Sequence, residues 1–194
     1  MDFVSSLIKL KNVPRSGWIS HGVAFRDVES VADHSFAASA LAMLLADSEV
    51  QSGRRVNVER VLRLALLHDL AETLTFDISK LYLEYLGTKG EVMKRELEEA
   101  AWRHMIKTIQ NDSIRRNYAA LVSEYNAEET VESQIVHAAD RLELLFQIIE
   151  FHRRGYPKAM LADLWESSNR QLTEPQLPSV RHMQKVATRL YKAK

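Results

Sequence analysis

Apolar residues recur along this chain with the period of an α-helix, and runs that alternate apolar and polar residues are almost absent. The clearest case is the apolar run Val61–Leu67, which leads directly into His68 and Asp69 and ends at Glu72. The chain has 194 residues, of which 46% are hydrophobic, so it is long enough to bury one substantial core. The pattern predicts a single all-α domain that covers residues 1–194.

Composition limits the kinds of partner that this chain is expected to bind. The 26 basic and 26 acidic residues give a formal net charge of zero, so no global field favours a nucleic acid polymer or a membrane surface. An anionic substrate must then be held by a few local cations. The absence of cysteine excludes disulfides, thiolate zinc sites and a cysteine nucleophile. With no apolar run near 18 residues and no signal core, we expect a cytoplasmic enzyme or binding protein.

Capping and helix-breaking residues predict where the helices begin and end. Pro14–Glu29, which contains two glycines, is predicted to be a long loop. We expect a metal core at about residues 30–150, with C-terminal helices at 157–194 packed on it. The predicted helices are Phe3–Lys11, Ser30 to about Asp47 after a capping box, Asn57 to about Glu72, Thr88 to about Gln110 after a second capping box, Asn126 to about Arg153, and two more that begin at Pro157 and Pro178.

Four potential metal ligands lie on three predicted helices: His34, His68, Asp69 and Asp140. Two imidazoles and two carboxylates make a suitable shell for a divalent ion and leave room for water. Polar groups at the end of so apolar a helix must be paired or metal-bound, because burying them unsatisfied costs several kcal/mol. The alternatives are a hydrogen-bonded core histidine at position 34 and, for Asp140, an intrahelical pair with His137 or an ion pair with Arg141. The set predicts metal-assisted hydrolysis.

Other polar side chains are expected near this set. Glu72 follows His68 by four residues, which places both on one face of the predicted helix, and Asp77 comes just beyond the helix end. Arg15 and Trp18 lie in the predicted loop, where an arginine can hold a phosphate and a tryptophan can stack on a base. The alternative for Trp18 is a ring that clamps the loop onto the core. The charged run 94–99 is interpreted as a solvated helix face.

These residues resemble the HD superfamily of metal-dependent phosphohydrolases, an all-α fold, and within it the 5'-deoxynucleotidase branch. The resemblance covers about residues 3–150. One departure is Phe76, at a position where the branch often has glycine. The segments that carry the resemblance are Pro14–Trp18, Val31–Ser35, His68–Glu72, Phe76–Ile78 and Ala139–Asp140.

The resemblance implies a role for each candidate. One divalent ion, commonly Co²⁺ or Mn²⁺ with Mg²⁺, Zn²⁺, Ni²⁺ and Fe²⁺ as alternatives, is held by the four ligands named above. Glu72 positions or deprotonates the attacking water, and Arg15 holds the phosphate. Trp18 and Asp77 contact the deoxyribose, and Asp77 is also expected to be a catalytic residue. The expected reaction converts a 5'-(deoxy)nucleoside monophosphate to nucleoside and phosphate, and a homodimer is expected.

Two rival functions remain open on the sequence alone. One is hydrolysis of guanosine tetraphosphate, carried out by another branch with a glutamate four residues after the histidine; that branch favours an acidic residue where Thr73 stands here. The other is a helical scaffold protein in which a metal only stabilises the core. A scaffold has no need for a carboxylate such as Glu72 beside an open coordination position.

Overall fold

The computed structural model describes residues 2–172 and 177–193, and within these residues the regular secondary structure is helical. An isolated bridge between Pro14 and Ser30 is the sole β-type pairing in the described part. None of the described helices is long and apolar enough to cross a membrane. The helices are α1 Phe3–Leu10, α2 Ser16–Ser20, α3 Val31–Gln51, α4 Val58–Leu67, α5 Glu72–Thr75, α6 Lys80–Glu84, α7 Thr88–Ile106, α8 Asp112–Ala127, α9 Val131–Arg153, α10 Ala162–Gln171 and α11 Pro178–Lys192, with 3₁₀ turns at Phe25–Asp27 and Lys158–Leu161.

The described residues form two compact units. The first comprises the positions up to Ser35 together with Leu67–Ser123, and the second comprises Phe36–Leu66 together with the positions from Glu124 onward. The all-α fold class predicted from the sequence is confirmed. The predicted limits of the metal core and of the C-terminal part stay predictions.

The core of the first unit lies where α1, α5 and α7 pack together. Trp102 of α7 is 4% exposed and anchors this core. Gly90 lets α6 approach the start of α7, because a Cβ atom at that position would collide with the carbonyl oxygen of Leu83. The buried residues of this core are Leu10, Val13, Val31, Leu70, Ala71, Ala101, Trp102, Met105 and Ile106.

The second unit is organised around α9, on which α10 and α11 pack. Trp165 of α10 stacks on Tyr191 of α11 with ring centroids 3.8 Å apart. Glu49 is 1% exposed and accepts hydrogen bonds from the backbone N and Oγ of Ser179 at 2.9 and 2.6 Å. Arg54 donates to the same carboxylate at 2.9 Å. Glu49 thereby satisfies a donor at the start of α11, which begins at Pro178 as predicted.

Several predicted helix ends are confirmed. Ser30 and Asp33 form the expected reciprocal capping box at the start of α3, with N–H to side-chain oxygen distances of 3.0 and 3.1 Å. Asn57 caps α4 by accepting from the backbone N of Arg60 at 3.0 Å. The first helix ends at Leu10, one residue before the predicted end. The capping side chains of Ser30 and Asn57 therefore identified the starts of α3 and α4 correctly.

Other predicted ends were wrong. The loop Pro14–Glu29 contains α2 and a 3₁₀ turn, because its glycines do not prevent short helices. The second capping box is absent, since α7 is preceded by Gly87 with no side-chain cap, and the helix ends at Ile106. Asn126 lies inside α8, and Thr130 caps α9 instead.

The most consequential correction concerns the segment that follows the apolar run. The helix does not reach Glu72: α4 ends at Leu67, and Glu72 begins the short helix α5. Between them the backbone N of Leu70 donates to the carbonyl of Leu67, and that of Glu72 donates to the carbonyl of Asp69. These bonds span three residues rather than four, so the chain forms a tight turn there. His68 and Glu72 therefore do not share one helical face.

Candidate active site

His34, His68 and Asp69 bring three potential metal-binding atoms together in the first unit. The Nε2 atom of His68 lies 3.2 Å from Oδ2 of Asp69, and Nε2 of His34 lies 3.6 Å from the same oxygen. The two imidazole rings meet edge to face, with centroids 5.6 Å apart. Both imidazoles are almost fully buried, at 0% and 1% side-chain exposure, so the cluster is held within the protein.

Local structure explains how the chain places these atoms. The capping box at Ser30 and Asp33 fixes the first turn of α3, and His34 follows directly on the buried side of that helix. The turn after α4 then presents His68 and Asp69 as neighbours at the point where the apolar run ends. A turn allows both side chains to point at one place, which adjacent residues of a regular helix do not do.

Asp69 is the electrostatic centre of the cluster. Arg15 Nη1 lies 3.3 Å from its Oδ2 atom, and the two side chains are 13% and 18% exposed. Burial acts to raise the pKa of Asp69, but His68 first, then His34 and Arg15, hold that pKa well below its ordinary value. The carboxylate is therefore ionised at neutral pH.

This donor set fits a divalent metal ion. Imidazole nitrogen and carboxylate oxygen are the ligand types that ions such as Mn²⁺, Co²⁺ and Zn²⁺ accept in proteins. The Nε2 atoms of His34 and His68 both lie close to Oδ2 of Asp69. Such an arrangement is expected of three atoms that bind the same ion. The chain thus contains a histidine and aspartate cluster able to hold a metal.

Asp140 lies on α9, in the second unit, and is partly buried. Its two candidate intrahelical partners each have a partner elsewhere in that unit. His137 Nε2 lies 2.9 Å from the carbonyl oxygen of Tyr125, and Arg141 is 3.4 Å from a carboxylate oxygen of Glu128. The assignment of Asp140 to the metal shell stays a prediction.

Asp77 connects the segment after α5 to the loop that carries Arg15. Its Oδ2 atom accepts from the backbone N of Ser16 at 2.5 Å and from that of Gly17 at 3.5 Å. These are the first two amides of α2, so a carboxylate at this helix start is well placed. Arg15 also donates its backbone N to the carbonyl of Glu29 at 3.0 Å. Asp77 therefore helps to fix the backbone next to Arg15.

Trp18 lies on α2 and is buried, with 2% exposure. Its indole Nε1 donates to Oε1 of Glu29 at 2.9 Å. The buried ring holds the loop against the protein interior, which agrees with the alternative interpretation of Trp18 given above. Contact between Trp18 and a substrate stays a prediction.

Glu72 is 3% exposed, at the start of α5. Burial raises its pKa well above the ordinary value, and the negative charges of Asp69 and Asp77 raise it further, while Arg15 and Lys94 act in the opposite direction. A carboxyl group perturbed in this way beside a metal-binding cluster is a candidate general base or acid.

Sequence reasoning missed Lys94, which was assigned to a solvated helix face. Its side chain is only 26% exposed, and Nζ lies 3.9 Å from Oε1 of Glu72. The neighbouring carboxylates Glu98 and Glu72 raise its pKa to about 12, although burial acts to lower it. In the sequence, Lys94 shows only an ordinary charge pair with Glu98, four residues later on the same helix. Only the packing of α5 on α7 reveals the second partner.

Phe76 occupies an unusual backbone position at the end of α5. Its φ is 59° with ψ 163°, a region that is favourable for glycine and strained for a residue with a side chain. Glycine adopts this backbone geometry without strain, which explains why a glycine is expected at this position. Phe76 is 63% exposed, so it adds little to the core.

The sequence model of the HD domain family matches residues 7–181, which is most of the chain. The chain therefore belongs to the HD domain family, in agreement with the all-α fold and the His34, His68 and Asp69 cluster.

Among curated relatives, the chain is 29% identical over 177 residues to the 5'-deoxynucleotidase HDDC2 of Xenopus laevis, with 91% of this chain and 81% of that protein covered. Among solved structures, the PH0347 protein from Pyrococcus horikoshii OT3 is 28% identical, with a TM-score of 0.80 and coverage of 97% and 98%. A predicted metal-dependent phosphohydrolase from Magnetospirillum magnetotacticum MS-1 is 25% identical, with a TM-score of 0.65 and coverage of 97% and 87%.

Proposed function

We propose that this protein is a metal-dependent 5'-deoxynucleotidase that hydrolyses 5'-deoxynucleoside monophosphates to nucleoside and phosphate. The observation that carries the proposal is the convergence of His34 and His68 on Oδ2 of Asp69, with Arg15 3.3 Å from that oxygen. A buried donor set beside a fixed cation suits a ligand that is both anionic and metal-binding, as a phosphate ester is. The similarity to a 5'-deoxynucleotidase supports the same substrate class.

We assign the metal site to His34, His68, Asp69 and Asp140, with Co²⁺ or Mn²⁺ as the expected ion. When bound, such an ion lowers the pKa of a coordinated water and offsets charge on the phosphoryl oxygens. Asp69 is ready for this role, since its neighbours keep its carboxylate ionised. The two imidazoles are held rigidly by burial, so little ordering is needed when the ion binds.

Arg15 supplies the positive charge for the substrate phosphate. Its position is restrained on two sides, by its own backbone hydrogen bond to Glu29 and by the capping of the next two amides by Asp77. A guanidinium fixed in this way offsets phosphoryl charge with little reorganisation during the reaction. We place Trp18 and Asp77 on the deoxyribose side of the substrate.

Glu72 holds the attacking water and accepts its proton. Burial raises the pKa of Glu72, and a carboxylate whose pKa is raised accepts a proton from water more readily. Its location at the start of α5, three residues after Asp69, keeps it next to the metal cluster.

We further propose that the protein is a homodimer and that it is located in the cytoplasm.

Phosphate release tests the proposal. Metal-stripped protein is assayed against deoxy- and ribonucleoside 5'-monophosphates, with Mn²⁺, Co²⁺, Mg²⁺, Zn²⁺ or Ni²⁺ restored one at a time. We expect turnover of several deoxynucleotides, slower turnover of ribonucleotides, and no turnover without metal. Absence of release under every metal shown to bind would reject the proposal.

The same assay discriminates the rivals. Release of pyrophosphate from guanosine tetraphosphate, with nucleoside monophosphates left intact, would identify the pyrophosphohydrolase. Metal-dependent stability without turnover of any nucleotide would identify a scaffold. The buried, perturbed carboxyl of Glu72 beside the donor set favours an enzyme over a scaffold.

A further inference from the structure

Lys94 faces the buried carboxylate of Glu72 from the neighbouring helix. Its Nζ atom lies 3.9 Å from Oε1 of Glu72, and the same ammonium donates a hydrogen bond to Oε1 of Glu98, four residues later on α7. Three side chains thus form a line of alternating charge from the metal cluster toward the surface. Exposure rises along it, from 4% at Glu72 to 26% at Lys94 and 31% at Glu98.

The two carboxylate oxygens of Glu72 have different surroundings. Oε1 faces the ammonium of Lys94, whereas Oε2 is buried and has no hydrogen-bond partner among the described residues. A buried acceptor without a partner costs free energy and is explained by a ligand or water that binds there. Because the cation lies on the side of Oε1, the group keeps Oε2 as its unengaged acceptor.

We propose that Lys94 is a positioning residue that orients Glu72 toward the attacking water, and that Glu98 holds Lys94 in place. The inference rests on the proposed function, since Glu72 is the group that receives the proton. The positive charges of Arg15 and Lys94 both oppose the negative charges of Asp69 and Asp77 at Glu72, so removal of Lys94 weakens this opposition. The carboxylate would then lose its fixed orientation, and fewer encounters with the water would be productive.

A purely structural pair accounts less well for this arrangement. Partly exposed ion pairs add little to stability, and Lys94 already has one such partner in Glu98. Burying a second carboxylate beside the same ammonium is costly, and an apolar side chain would pack at least as well. A role in orienting Glu72 gives a reason for both contacts.

Steady-state kinetics of the metal-loaded full-length protein on a deoxynucleoside monophosphate test this role. We expect Lys94→Met to lower kcat about tenfold while KM changes less than about twofold. Lys94→Arg should retain most of the activity, because the charge is preserved. Arg95→Met, on the exposed side of the same helix, is the matched control and should match the wild-type protein.

A double-mutant cycle with Glu72→Gln separates positioning from a general structural effect. Once Glu72 is replaced, Lys94→Met should cause no further loss of kcat. Unchanged kcat in Lys94→Met, or a full additional loss in the Glu72→Gln background, would overturn the inference. If the wild-type protein hydrolyses no nucleotide, the proposed function fails and the inference with it; an active wild type with an inert Lys94 rejects the inference alone.

Discussion

Arg15→Ala should separate substrate binding from metal binding. In the structure, Nη1 of Arg15 lies 3.3 Å from Oδ2 of Asp69, the carboxylate oxygen that we expect a metal ion to bind. The arginine and the ion would therefore compete for the same oxygen. Two unit charges at that distance attract by about 5 kcal/mol at an effective dielectric constant of 20. Solvent screening of these partly exposed groups reduces the net effect to about 1 kcal/mol. Removal of Arg15 should therefore leave metal affinity unchanged or strengthen it up to about fivefold.

Substrate binding should change in the opposite direction. A hydrogen bond between charged groups contributes about 1.5–3 kcal/mol, so loss of the phosphate contact should raise KM by about 10- to 100-fold. Calorimetric titration with Mn²⁺ measures the first effect, and phosphate-release kinetics measure the second. Arg26→Ala is the matched control, because Arg26 lies in the same loop region and is 87% exposed. Weaker metal binding in Arg15→Ala would refute the phosphate role.

The remaining predictions concern three carboxyl and imidazole groups. Glu72→Gln should lower kcat at least a hundredfold with metal affinity retained, and full activity with metal bound would contradict its assignment. His34→Ala should abolish metal binding and metal-dependent turnover, measured by titration beside a circular dichroism check of folding. Glu49→Gln should reduce stability at neutral pH by about 1.5–3 kcal/mol in urea denaturation, without a change in kcat. Burial acts to raise the pKa of Glu49, but hydrogen bonds from Ser179 lower it. Its contribution is therefore present above pH about 4.5 and lost as pH falls through the folded pKa, a loss that the variant should not show.

The fold class and much of the site were predictable because their signals are local. Helical periodicity gave the all-α fold class, and the capping residues Ser30 and Asn57 gave the starts of α3 and α4 correctly. The residue types of His34, His68 and Asp69 pointed to a common cluster, and the structure brings these three together.

What the sequence did not yield depends on packing and on tight turns. The apolar run gave no sign that the chain turns at His68, since a tight turn of a few residues can carry the same residue types as one more turn of helix. Lys94 looked like a surface residue because its partner within the helix, Glu98, is visible in the sequence, while Glu72 is brought close only by the contact of α5 with α7. Such contacts between distant segments have no local signature.

The capping box at the start of α3 also restricts how this chain can vary. Each residue of an α-helix rotates the chain by about 100°, and Ser30 with Asp33 fixes where that rotation begins. An insertion of one residue between Asp33 and His34 would turn the imidazole away from Asp69, even though every residue type remained. The number of residues between Ser30 and His34 is therefore expected to be fixed.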